Sequence, residues 1–140
     1  MVSSSAEYVK QIIPTEIILP AVSQGVLAIE IRKDDRNTFQ IVRPLNDKKS
    51  EIESRAERSL LKTLRGGCQV PIGVYSYINN NVLEMEAMVG SIDGKVVIRD
   101  KKSGPIDMPE KVGEELARFL LSNGANEILE MIRNEEGIQN

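Results

Sequence analysis

The sequence predicts a mixed α/β (α+β) fold in which helices cover one face of a three-stranded antiparallel sheet. Apolar residues recur at three- and four-residue steps between Asp47 and Arg65, which is the period of an amphipathic helix. Apolar and polar residues alternate in three short segments between residues 70 and 99, which is the period of strands. A second helical stripe follows from residue 109. Helices that follow a strand meander are typical of a two-layer domain.

The N-terminal third has a different character. Residues 16–31, EIILPAVSQGVLAIEI, are strongly apolar and β-branched, with Pro20 and Gly25 as breakers, and they predict a strand, a turn and a second strand. Val26 to Ile31 is nearly continuous in hydrophobicity, as in a strand buried on both faces. The small sheet of the remaining chain offers it no such place. We therefore expect residues 1–33 to form an arm, a remnant strand of another domain, and residues 34–140 to form the domain proper.

Within 34–140, a short helix is expected from Asn37 to Arg43. Asp47 is then the predicted N-cap of a longer helix that ends at Gly66. Its apolar stripe contains Ile52, Ala56, Leu60, Leu61 and Leu64, and the charged residues of its other face, Glu57 among them, are expected in solvent.

The strands are expected to be joined by hairpins at NNN (79–81) and SIDG (91–94), because asparagine and glycine tolerate positive φ. Glu84 and Glu86 are expected on the solvated face of the sheet. The sequence DMPE, from Asp107 to Glu110, predicts a capping box with proline in the first turn. The helix that it opens has an apolar stripe of Val112, Leu116, Phe119 and Leu120, ends at Asn123 and Gly124, and precedes a last helix with Ile128, Leu129 and Ile132.

The composition excludes several classes of function. A net charge of −3 provides no basic face for a phosphate backbone, so nucleic acid is not an expected partner. The absence of histidine excludes a Cys-His or Ser-His-Asp system and the usual transition-metal ligands, so no metal site is expected. No apolar run reaches membrane-spanning length, and the N-terminus lacks the core of a signal peptide, which favours the cytoplasm.

The only cysteine, Cys68, lies in GGCQVPIG, between a helical and a strand pattern. Gly66 and Gly67 allow the backbone to turn and to lie close to another group, so that the thiol is presented. A lone cysteine is more often a small buried hydrophobe. The preceding helix directs its negative C-terminal end at this loop, which raises a thiol pKa and argues against a thiol-dependent enzyme.

The string AERSLLKTLRGGCQVPIGVYS (56–76) resembles the signature of the porphobilinogen deaminase, or hydroxymethylbilane synthase, family. LPAVSQGVLAIE (19–30) is similar to the segment LPAVGQGA that precedes it in that family. VGSIDGKVVIRD (89–100) and FLLSNGANEIL (119–129) are similar to the family's C-terminal domain. The resemblance extends over essentially the whole chain.

The resemblance implies a transferase of tetrapyrrole and haem biosynthesis, which condenses four porphobilinogen units to hydroxymethylbilane. Cys68 matches the cysteine that holds the dipyrromethane cofactor through a thioether. Gly66 and Gly67 would allow the close approach of the first pyrrole, and Gln24 and Gly25 match residues near the cofactor. Ser23 stands where the family usually has glycine.

The resemblance also implies two further N-terminal domains, which hold the catalytic aspartate and the arginines that bind the substrate's carboxylates. No catalytic residue is expected on this chain, which should be inactive alone and have those domains and the growing oligopyrrole as partners. An alternative hypothesis is a stand-alone interaction module whose apolar arm adds a strand to a partner sheet or forms a homodimer.

Overall fold

A computed structural model describes residues 8–65 and 70–135. The helices are α1 (Arg36–Val42), α2 (Lys48–Leu64), α3 (Pro109–Leu120) and α4 (Asn126–Glu135), and the strands are β1 (Ile72–Asn79), β2 (Val82–Gly90) and β3 (Val97–Pro105). A 3-10 turn, Arg43–Leu45, follows α1, and a π-type turn, Leu121–Ala125, joins α3 to α4. The strands form an antiparallel sheet of order β1-β2-β3, which confirms the predicted fold class. None of the helices in the described ranges has the length and hydropathy needed to cross a membrane.

The core lies between the sheet and the pair formed by α2 and α3. The predicted stripes supply most of it, including Ile52, Ala56, Leu60, Leu64, Val112, Leu116 and Leu120. Gly113 allows the two helices to touch, because a Cβ built there would lie 2.1 Å from the Ala56 carbonyl oxygen. The prediction for Phe119 is wrong, because this residue is 51% exposed. It lies at the border of the face that α3 buries against the core.

The helix ends confirm one cap and correct another. The Asp47 side chain accepts a hydrogen bond from the Ser50 backbone N–H at 2.8 Å, as predicted for an N-cap. The capping box at DMPE is wrong, because the N-cap of α3 is Met108 and its side chain makes no capping bond. Glu110 instead accepts from Arg55 Nε at 2.6 Å, which joins α3 to α2.

Both hairpin turns are confirmed. Asn80 and Asn81 have φ values of 48° and 61°, and Gly94 has φ 71°. Strand β3 extends beyond the residues with an alternating apolar pattern and continues past Arg99 to Pro105. These added residues form an exposed edge, so backbone pairing with β2 holds them in place without apolar alternation.

The strands predicted within residues 16–31 are wrong, since the described part of the arm contains turns and irregular chain only. A strand needs a hydrogen-bonded neighbour, and residues 8–33 make a single backbone bond to the edge of β1, from Val74 N–H to the Pro20 carbonyl oxygen at 2.8 Å. The arm instead crosses the outer face of the sheet.

That crossing follows one row of cross-strand neighbours, Gly73, Met88 and Arg99. Arg99 donates to the carbonyl oxygens of Thr15 and Glu16 at 2.8 and 2.9 Å. At the other end of the row, Leu19 packs over Gly73 and is only 4% exposed. The arm is therefore fixed to the sheet at both edges.

Glu86 supports this crossing from the same face. Its carboxylate accepts from Arg99 Nε at 2.7 Å and lies 3.2 Å from Lys101 Nζ. Burial acts to raise the pKa of Glu86, but the hydrogen bonds and charges of the two cations outweigh it, so that the pKa lies below its usual value. The prediction of a solvated Glu86 is wrong, since its side chain is only 16% exposed.

Candidate functional site

The predicted site has two parts, one in the loop after α2 and one in the arm. Gly66, Gly67 and Cys68 lie outside the described residues. Their flanks are described: α2 ends at Leu64, and Arg65 adopts a left-handed conformation with φ 51°. Residues 66–69, which the sequence predicts to be a loop and which we call the cysteine loop, follow the C-terminal end of α2 and precede β1 in the sequence.

Arg133 of α4 holds the helix end from which this loop departs. Its guanidinium donates to the carbonyl oxygens of Leu64 and Arg65 at 3.0 and 3.2 Å. The last carbonyls of a helix lack intrahelical partners and form its negative end, so a cation there both pairs them and offsets their charge. Arg133 thus offsets the negative charge at the C-terminal end of α2.

The same end of α2 gathers further cationic side chains. Arg65, Arg118 and Arg133 line one depression together with Glu130. Arg118 is paired with Glu114, and Arg133 is engaged with the helix end. Sequence reasoning missed this grouping, because the three arginines are far apart along the chain and no local pattern connects them.

Gln24 and Gly25 lie in a turn of the arm. The turn is closed by bonds from Gln24 N–H to the Ala21 carbonyl oxygen (3.1 Å) and from Val26 N–H to the Ser23 carbonyl oxygen (3.3 Å). Gly25 has φ 81°, a conformation that favours glycine, and apart from its chain neighbours none of the described residues has a heavy atom within 4 Å of the place where its Cβ would be. The turn thus presents open backbone that another group can approach.

A buried carboxylate fixes this turn to the domain. Glu57 of α2 accepts from Ser23 N–H at 2.7 Å with one oxygen and from the Ser76 hydroxyl at 2.6 Å with the other. Glu57 is 8% exposed, so the prediction that it belongs to the solvated face of α2 is wrong. Its spacing of three and seven residues from Leu60 and Leu64 places it at the border of the apolar stripe, which is the signal that sequence analysis could have used.

The two parts of the site flank the same helix. Leu64 follows Glu57 by seven residues, a rise of about 10 Å along α2. The turn at Gln24 and the departure of the cysteine loop are therefore separated by about two helical turns. A group that contacts both must extend along the helix, as a chain of linked rings does.

Ser23 is strained where it stands. Its φ of 54° lies in the left-handed region, and its hydroxyl is buried without a hydrogen-bond partner among the described residues. A residue with a Cβ in the left-handed region costs about 1–2 kcal/mol. Glycine avoids this cost, but part of the gain is lost because glycine raises the conformational entropy of the unfolded chain.

Ser23→Gly is therefore expected to raise the free energy of unfolding by about 1 kcal/mol, measured as a higher urea midpoint at unchanged slope. Ser23→Ala separates the two causes, because it removes the hydroxyl and keeps the strained φ. A glycine variant less stable than the wild type would contradict the assignment of strain.

Comparisons with known proteins all lead to one enzyme family. The sequence model of the porphobilinogen deaminase C-terminal domain matches residues 51–122, about half of the chain. The porphobilinogen deaminase of Chlorobaculum tepidum is 48% identical over 131 residues, which are 91% of this chain and 42% of that protein. Those of Carboxydothermus hydrogenoformans and of Prochlorococcus marinus (strain MIT 9515) are 44% and 49% identical, over 91% and 89% of this chain and 41% and 39% of their own lengths.

The chain thus spans about two fifths of the length of the curated relatives that it matches. The matched range includes most of α2, the three strands of the sheet and α3. This chain belongs to the porphobilinogen deaminase family and contains its C-terminal domain.

Proposed function

We propose that this chain is the cofactor-anchoring domain of a porphobilinogen deaminase, with Cys68 bound to a dipyrromethane through a thioether. The observation that supports this most is the helix end capped by Arg133, which the only cysteine follows by four residues in the glycine-rich string GGCQ. When bound, the dipyrromethane supplies the primer to which porphobilinogen units are added with loss of ammonia. The cysteine serves as an anchor for it.

Four further residues of this chain are assigned to contacts with the cofactor. Gly66 and Gly67 allow the first ring to approach the backbone. Gln24 and Gly25 contact the group from the arm, about 10 Å along α2 from the helix end. The open face of Gly25 is consistent with this role.

We assign residues 1–33 to an arm that packs against the other domains of the enzyme, and residues 34–140 to the anchoring domain. Several apolar side chains of the arm are exposed, among them Ile12 at 85% and Leu27 at 95%. Leu27 lines one depression together with Phe39, which is also exposed, and a contiguous exposed apolar patch is typical of an interaction surface. Condensation of porphobilinogen in the cytoplasm then requires those domains, and we expect no turnover by this chain alone.

The same exposed arm supports a second candidate function, an interaction module that dimerises or joins a partner sheet through the arm. Sedimentation of the free chain distinguishes the two. A stable dimer whose contacts depend on Ile12 and Leu27 would favour the module, whereas a monomer would favour docking to the other domains.

The proposed function is tested in a full-length chimera, in which this chain replaces the aligned segment of the Chlorobaculum tepidum enzyme. After incubation with porphobilinogen, the intact mass should increase by one dipyrromethane, and peptide mapping should place the increase on Cys68. A folded chimera whose Cys68 remains a free thiol would overturn the proposal.

A further inference from the structure

Glu57 links three elements through a single carboxylate. It projects from α2, one oxygen receives the Ser23 N–H of the arm, and the other receives the Ser76 hydroxyl of β1. Glu57 and Ser76 are 8% and 5% exposed, so both bonds are largely shielded from water. Among the described residues Glu57 takes part in no ion pair within 4.0 Å.

Burying the Glu57 carboxylate costs free energy of folding. Desolvation of a charge opposes folding, and an apolar side chain of similar volume is often as stable or more so at such a position. What the carboxylate provides and an apolar side chain does not is a directional contact for a backbone N–H. The contact that it makes in the arm is with the residue directly before Gln24.

That contact sets the direction of the turn. With its N–H directed at Glu57, Ser23 adopts a left-handed φ of 54°, and Gln24 and Gly25 follow on the exposed side. Gln24 also lines a small cavity of about 180 Å³ together with Glu57 and Ser76. The orientation of the turn thus depends on a side chain that lies 34 residues away along the chain.

We propose that Glu57 is a positioning residue, which holds the Ser23–Gly25 turn so that Gln24 and Gly25 face the cofactor and the growing pyrrole chain. This inference rests on the proposed function, because the contacts of Gln24 and Gly25 are assigned there. Glu57 acts through the turn and does not itself touch the substrate.

Two substitutions distinguish the hydrogen bonds of Glu57 from the volume of its side chain. Glu57→Met keeps the volume and removes both acceptors, so the Ser23 N–H loses its partner. Glu57→Gln can retain both contacts, because its carbonyl oxygen accepts from Ser23 N–H and its NH₂ donates to the Ser76 hydroxyl. Glu53→Met is the matched control: Glu53 lies one helical turn away and accepts from Ile78 N–H at 3.1 Å, but among the described residues the hydrogen bond from the turn is accepted by Glu57 and not by Glu53.

The first test measures backbone amide exchange by NMR in the 140-residue chain. In Glu57→Met the Ser23 amide should exchange about tenfold faster relative to the amides of Leu83 and Ala87, which report opening of the sheet. Glu57→Gln and Glu53→Met should leave this ratio within about twofold of the wild type. An unchanged ratio in Glu57→Met would overturn the inference.

The second test measures kcat and KM in the chimera, together with the fraction of molecules that hold the cofactor. Glu57→Met should lower kcat about tenfold or more, with restoration by Glu57→Gln. A Glu57→Met chimera with wild-type kinetics would overturn the positioning role. A wild-type chimera that acquires no cofactor would overturn the proposed function instead, and the amide ratios would still decide whether Glu57 holds the turn.

Discussion

Gly113→Ala is expected to destabilise the fold by about 3 to 5 kcal/mol, a large part of the stability of a domain of this size. The added Cβ would lie 2.1 Å from the carbonyl oxygen of Ala56 and 3.0 Å from the Leu60 nitrogen. These are backbone atoms of α2, so no side-chain rotation relieves the overlap. The helices must separate, and their separation opens the core beneath them.

The free energy of unfolding from urea denaturation measures this effect. Gly90→Ala is the matched control, because Gly90 is also buried but a Cβ added there would have a Pro71 side-chain carbon as its nearest neighbour, at an ordinary contact distance of 3.8 Å. The control should lose about 1 kcal/mol or less. Equal losses in the two variants would contradict the close approach of α2 and α3.

Cys68→Ala is expected to abolish the activity of the full-length chimera, because the variant has no atom to which the dipyrromethane can be joined. The rate of porphobilinogen consumption should fall to that of the enzyme-free control. The fold should be unaffected, with an unfolding midpoint close to that of the wild type, so that the loss is one of attachment.

Labelling of the thiol checks the same point independently. Cys68 is the only cysteine of this chain, so alkylation of the free chain reports on it alone. In the chimera, the peptide that contains Cys68 should become resistant to alkylation once the cofactor is attached. A Cys68→Ala chimera that retains activity would contradict the anchor.

The sequence was most informative where local periodicity and core packing agree. The stripe from Ile52 to Leu64 predicts both the helix and its buried face, and the asparagine turn at 79–81 predicts the first hairpin. It was least informative where pairing depends on distant residues. The arm has the apolar composition of a strand but no strand to pair with. Residues 100–105 pair with β2, although they lack the alternating apolar residues of a strand.

The candidate site divides in the same way. Cys68, Gln24 and Gly25 come from a resemblance that local strings of sequence reveal, and their roles stay predictions. The contacts of Glu57 and Arg133 are recognised only in three dimensions, because each binds a backbone group 34 to 69 residues away along the chain. The spacing of Glu57 beside the apolar stripe can indicate that it is buried, but not which groups it binds.

The arginine cap makes the stability of the C-terminal end of α2 depend on the last helix, α4. Local opening of α4 withdraws Arg133 from the carbonyls of Leu64 and Arg65. The end of α2 therefore loses its cap whenever α4 opens. A substitution that frays α4 thus also weakens the end of α2, although no residue of α2 has changed. For this domain, distance along the chain is a poor guide to which substitutions would affect the attachment proposed at Cys68.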